Sequence, residues 1–202
     1  RMHYHAYEMA HTLVSPVRLA AKGMKRALDL PWNPWGYTEI GKHMSAACQV
    51  FEKMTRRYGK PEFGINTTKI HGFPVPVREE VVLDKTFGSL LHFARDESVI
   101  GRRHDPKVLI VAPMSGHYAT LLRGTVDAMV PEHEVYITDW KDARDIPVAL
   151  GKFDLDDFID YLIEFVEFLG PNTHVIAVCQ PSVPALAATA VMAKRDSPAQ
   201  PA

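Results

Sequence analysis

The sequence has little cysteine: two residues in 202, Cys48 and Cys179. Two thiols build neither a disulfide framework nor a zinc ligand set, and such sparing use suits a reducing cytoplasm. It has no excess charge of either sign. Lys and Arg total 23 against 24 Asp and Glu, a formal net charge of −1. No electrostatic pull toward nucleic acid or anionic lipid is therefore expected. No run of about 18 or more uncharged apolar residues occurs, so no segment is expected to span a membrane. The first residues, Arg1-Met2-His3-Tyr4-His5, do not have the basic-then-apolar layout of a secretory signal. Internal repeats are absent as well.

What is present is a globular composition long enough for a sizeable core. Residues 4–58 read as helical, with Tyr7, Met9, Leu13, Val17, Leu19 and Met24 at roughly helical spacing. The stretch 31–36, rich in Pro and Trp, breaks the pattern into two helices. Residues 59–76 carry several Pro and Gly and read as a connector. Residues 80–86 and 89–94, separated by Phe87-Gly88, predict a hairpin. Residues 107–112 form a short continuous apolar run, the pattern of a strand buried on both faces. A helix is expected over 118–129 and a strand over 134–138. The clearest helix is 154–169, with Asp154 as N-cap and Gly170-Pro171 as stop. Strand 174–178 and helix 185–193 complete the pattern. Alternation of strands and helices implies an α/β fold with a mainly parallel sheet and the hairpin at one edge. The expected organisation is a helical region over 1–66, an α/β region over 67–194 and a disordered tail over 195–202.

The chemistry concentrates in residues 174–184, where an apolar strand runs into Cys179 and then into a helix. In α/β hydrolases the nucleophile occupies such a strained turn, usually within G-x-S-x-G. Ala177 and Pro181 stand where that motif has glycines. Ala is small, and Pro fits the first turn of a helix. The N–H of Gln180 remains available for an oxyanion. The thiolate is the attacking form of cysteine, and the positive end of a helix favours it. The alternative is a packed core thiol; Ser182, three residues on, is a rival nucleophile. The run 107–112 leads into Pro113-Met114-Ser115-Gly116-His117. In this fold the corresponding loop supplies a second oxyanion N–H, here from Met114 or Ser115.

Four blocks carry a resemblance: residues 108–124 (VLIVAPMSGHYATLLRG), 135–145 (VYITDWKDARD), 153–160 (FDLDDFID) and 173–181 (THVIAVCQP). With Tyr7-Glu8-Met9 and Pro31-Trp32-Asn33-Pro34, they resemble the intracellular poly(3-hydroxybutyrate) depolymerases over nearly the whole chain. The resemblance implies an α/β-hydrolase fold and Cys179 as nucleophile, with backbone N–H groups of Gln180 and Met114 or Ser115 at the oxyanion. It implies no cofactor and no metal, cytoplasmic polyester granules as partner, and 3-hydroxybutyrate oligomers as product. It also implies an acid and a histidine later in the chain, yet the last histidine is His174. The sequence is thus expected to be the N-terminal half of such an enzyme, truncated after the elbow, with negligible hydrolysis of its own. Two alternatives stand beside it: a polyester-synthase-like acyltransferase, against which Pro181 argues, and a non-catalytic granule-binding protein.

Other chemistry-bearing residues have blander readings. His117 could touch substrate or be an ordinary surface or core imidazole. Asp139, Asp142 and Asp145 lack metal-ligand spacing and read as loop charges. Arg123 and Arg144 read as ion-pair partners and Cys48 as a packed small residue. Tyr4, Tyr7, Trp32 and Trp35 could meet a hydrophobic granule or pack on the domain.

Overall fold

The computed structural model describes residues 2–56, 59–101, 103–114 and 118–202. It divides into two compact units, Arg1–Gly59 and Lys60–Ala202. The sequence reading placed this boundary at 66/67. Residues 60–66 fall in the second unit because Phe63 and Ile65 are buried in its core.

The first unit is a helical hairpin of α1 (Met2–Leu28) and α2 (Glu39–Thr55). Its turn is built by local caps. The Asn33 side chain accepts from the Trp35 N–H at 3.1 Å and donates to the Ala27 carbonyl at 2.7 Å. Thr38 caps α2, its hydroxyl accepting from the Gly41 N–H at 3.0 Å. Gly41 must be glycine, since a Cβ there would lie 1.9 Å from the Trp35 carbonyl oxygen. Arg18 ties the helices together by donating to the Thr55 carbonyl at 2.6 Å.

Among the described residues the second unit holds six strands: β1 (Thr67–Ile70), β2 (Phe73–Asp84), β3 (Gly88–Arg95), β4 (Lys107–Val111), β5 (Glu134–Trp140) and β6 (Thr173–Ala177). They form one sheet in the order β1-β2-β3-β5-β4-β6. The fold is α/β, but the expected mainly parallel sheet is not found. Three pairings, β1–β2, β2–β3 and β3–β5, are antiparallel; only β4–β5 and β4–β6 are parallel. The physical reason is that strand–helix alternation starts only after β3. Everything before it is joined by tight turns, and such turns reverse the chain.

β1 itself was hidden in the expected connector. His71 and Gly72, both at positive φ (50° and 84°), make the turn between β1 and β2. Pro74 and Pro76 then lie inside β2. The Pro76 carbonyl accepts from Asp96 on the β3 side, while the Val77 N–H donates to Asn66 on the β1 side. The N–H that Pro76 lacks therefore faces away from β1, and its ladder survives.

Alternate residues of β4 feed two apolar layers. Val108, Ile110 and Ala112 pack with Leu122, Val126 and Val130 around α4 (Arg123–Met129). Leu109 and Val111 pack with Phe158, Leu162 and Phe165 of α5 (Leu155–Leu169) and with Ala185, Ala188 and Met192 of α6 (Ser182–Lys194). The expected helix over 154–169 is observed. Asp154 caps it in a reciprocal box with Asp157, and Gly170 at φ 78° ends it. A one-turn helix, α3 (Glu97–Ile100), lies between β3 and β4. Residues 195–202, expected to be a disordered tail, turn back: Ala199 is buried and the Ala202 N–H donates to the Thr173 carbonyl at 3.0 Å. Among the described residues, no helix is long and apolar enough to cross a membrane.

Candidate active site at the carboxyl ends of β4, β5 and β6

The order β5-β4-β6 fixes where a ligand can reach the sheet. From β4 the chain crosses through α4 to β5 on one side. From β5 it crosses through α5 to β6 on the other side of β4. Connections that leave a strand in opposite directions open a crevice at the strands' carboxyl ends. The residues at those ends are Ala112 to Met114 after β4, Thr138 to Trp140 of β5, and Val178 to Pro181 after β6.

Cys179 is exposed and sits at φ 66°. A side-chain-bearing residue in the left-handed region costs about 1–2 kcal/mol, a strain typical of a chain forced to turn sharply. The turn delivers it directly into α6. Pro181, at φ −66°, occupies the residue before the first helical position, where no N–H is needed. No acceptor among the described residues takes the Gln180 N–H. Ser182 is the first residue of α6, and its hydroxyl donates to the Cys179 carbonyl. That oxygen is engaged in the helix turn, while the Cys179 side chain stands clear of it.

The loop after β4 approaches the same point. The Met114 N–H donates to the Gln180 side-chain oxygen at 3.1 Å, so the loop and the turn meet directly. Ser115, like Gly116 and His117, lies outside the described residues. Two residues before Met114, the backbone of Ala112 is gripped from β5. Its N–H donates to the Thr138 hydroxyl at 2.9 Å, and its carbonyl accepts from the Trp140 indole N–H at 2.8 Å. Thr138 and Trp140 were not singled out from the sequence. The available signal was polar atoms on the inward face of a buried strand, which must find partners.

The other candidates fall elsewhere or into pairs. Asp139 pairs with Lys60, and Arg144 with Asp142 at 2.5 Å. Arg123 donates to the carbonyls of Phe63 and Gly64 and so fastens that segment. In the helical hairpin, Cys48 is half-buried with its sulfur 3.8 Å from that of Met24. Trp32 and Trp35 are exposed, and the side chains of Tyr4 and Tyr7 lie outside the described residues. Among the described residues no group of three or more His, Cys, Asp or Glu is arranged to hold a metal ion.

The site as built offers an accessible thiol on a strained turn, the Gln180 N–H that follows it, and the Met114 N–H, which holds the Gln180 amide oxygen. Those are the parts for attack on a carbonyl carbon with stabilisation of the resulting oxyanion. Comparison with family models, curated proteins and solved structures finds nothing that matches this chain.

Proposed function

We propose that this chain forms the nucleophile-bearing part of an α/β-hydrolase-like esterase that degrades intracellular poly(3-hydroxybutyrate) at cytoplasmic granules. The observation that carries the reading is Cys179, exposed and held at φ 66° where β6 turns into α6. The resemblance of the four sequence blocks supplies the substrate class.

On this reading the Cys179 thiolate attacks an ester carbonyl. The C–S bond forms as the carbonyl π pair moves to oxygen. The backbone N–H groups of Gln180 and Met114 hold that oxygen, which takes the place of the Gln180 amide oxygen now 3.1 Å from the Met114 nitrogen. Collapse of the intermediate re-forms the carbonyl, breaks the ester C–O bond, expels the alcohol end of the polyester as an alkoxide that takes a proton from water, and leaves a thioester on Cys179. The reading asks of these residues the acylation step. No metal or cofactor takes part in that step.

The test is to treat the chain with p-nitrophenyl 3-hydroxybutyrate and map the adducts by peptide mass spectrometry. A thioester on the Cys179 peptide, lost in Cys179→Ala, is expected. Labelling of Cys48 alone, or none at all, would overturn the reading. A second reading, a non-catalytic granule-binding protein, is favoured by the apolar surface of the helical hairpin, where Trp32, Trp35, Ile40 and Met54 are all exposed. Sedimentation of both the wild-type chain and Cys179→Ala with amorphous polymer granules, with no thioester formed by either, would select it.

A further inference from the structure

We infer that Thr138 and Trp140 are positioning residues for the oxyanion N–H of Met114, acting through the backbone of Ala112. The inference rests on the reading of Cys179 as an acyl-accepting nucleophile, and its physical core stands on the hydrogen bonds alone.

The parallel ladder between β4 and β5 runs from Lys107 beside Glu134 to Ile110 beside Ile137, and stops there. Beyond it the chain needs other partners for its backbone groups, because an unpaired buried N–H or carbonyl costs about 1–3 kcal/mol. The Val111 carbonyl, on the β6 side, accepts from the Val178 N–H. On the β5 side, side chains replace the missing backbone: the Thr138 hydroxyl takes the Ala112 N–H and the Trp140 indole serves the Ala112 carbonyl. Both backbone polar groups of one residue are thus fixed two residues before Met114. Thr138 is fully buried and Trp140 is 8% exposed, so water does not compete for either bond.

The Trp140 ring is itself held. It packs edge-on against Phe158 with centroids 4.6 Å apart. Its register partner is Gly88, where a Cβ would come within 2.6 Å of the indole. Glycine at that position leaves the room the ring occupies. β3, β5 and α5 together therefore set the indole N–H, the indole sets the Ala112 carbonyl, and Pro113 carries that constraint rigidly to Met114.

The consequence is specific to one kind of chemistry at Cys179. Acylation passes through an oxyanion and needs the Met114 N–H in place. Alkylation by iodoacetamide is a direct displacement at carbon, in which sulfur bonds as iodide leaves, and forms no oxyanion. Displacing the loop should therefore separate the two rates.

The experiment compares p-nitrophenyl butyrate acylation with iodoacetamide alkylation at Cys179 in the wild-type chain, Thr138→Val, Thr138→Ser and Trp140→Phe. Thr138→Val and Trp140→Phe are expected to slow acylation by about tenfold or more, within the range seen when an oxyanion donor is misplaced. Alkylation should stay within about twofold, and Thr138→Ser should restore acylation. Amide hydrogen exchange gives an independent readout: Ala112 and Met114 should exchange faster in Thr138→Val and Trp140→Phe while β6 amides stay protected. Gly88→Ala, which leaves every hydrogen-bonding group in place and crowds the indole, should act in the same direction. Acylation and alkylation falling together, or unchanged exchange at Ala112 and Met114, overturns the inference. Faster exchange at those amides in a chain whose wild type never acylates leaves the clamp standing and removes the esterase reading instead.

Discussion

At the amino ends of β4 and β5 a buried guanidinium gathers two carboxylates; at their carboxyl ends the backbone of Ala112 and Met114 is held by neutral donors and acceptors. Arg95, the last residue of β3, is buried and bonds to Asp105 at 2.7 Å, just before β4, to Glu134, the first residue of β5, and to the Pro131 carbonyl at 3.3 Å. His92 Nε2 lies 2.8 Å from the other Glu134 oxygen. At the opposite end, a hydroxyl and an indole hold Ala112, and an amide side chain meets Met114. The difference matters because a formal charge beside an oxyanion loop would compete for its donors. Neutral groups fix the backbone of Ala112 and Met114 without that competition, while the buried Arg95 charge lies at the end where nothing needs to react.

The sharpest way to break the comparison is at Arg95. Replacing it with Met removes the buried cation that Asp105 and Glu134 share, leaving Asp105 to Arg103 and Glu134 to His92. Removing one partner of a buried pair costs about 3–5 kcal/mol. Urea denaturation should show that loss, while the alkylation rate of Cys179 in the folded protein stays unchanged. A parallel change in thiol reactivity would mean the two ends are coupled.

A smaller effect separates the ends by pH. Hydrogen bonding to His92, followed by the Arg95 interaction, holds the Glu134 carboxyl down from an ordinary 4.5 to about 2. A depressed carboxyl favours the folded state above the unfolded value. That contribution is complete above about pH 4.5 and is lost as pH falls from there toward 2. With its side chain 28% exposed, Glu134 should contribute about 2–3 kcal/mol to the acid slope. Glu134→Gln should flatten stability over that window; an unchanged slope would assign acid unfolding to other groups.

The two ends were unequally legible in the sequence. The β6-to-α6 junction could be read because its signals are local: an apolar run, Cys179, and Pro181 where a helix begins. Helix α5 was equally local, with its apolar period between Asp154 and Gly170. Thr138 and Trp140 could not be assigned a task, because their partner Ala112 is more than twenty residues earlier and meets them only through a register that no short window encodes. Of the antiparallel half, the hairpin of β2 and β3 was legible around Phe87-Gly88, but β1 and the start of β2 were not, for a related reason. Pro74 and Pro76 made the start of β2 look like a connector, and only the direction of their backbone groups within the sheet makes them tolerable. In the helical hairpin the spacing of Leu13, Val17 and Met24 predicts helix correctly, yet those residues are exposed within their own unit. Periodicity reports a helix face and is silent on what covers it.

The finest test lies at the elbow itself. A non-glycine residue at φ 66° is strained, and glycine adopts that conformation freely. Cys179→Gly should therefore stabilise the second unit by up to about 1 kcal/mol, the strain relief being partly offset by the greater freedom of glycine in the unfolded chain. Cys179→Ala keeps the Cβ and should leave stability nearly unchanged, because the thiol it removes is exposed. Both lose acylation, so the pair isolates backbone strain from thiol chemistry. Measured in urea against the wild-type chain, a stability gain confined to glycine would mean that the turn is maintained at a cost the fold does not require. That would sharpen the contrast with Arg95, where any replacement of the side chain weakens the protein. Equal stabilities for the glycine and alanine variants would instead mean that the positive φ at Cys179 costs nothing.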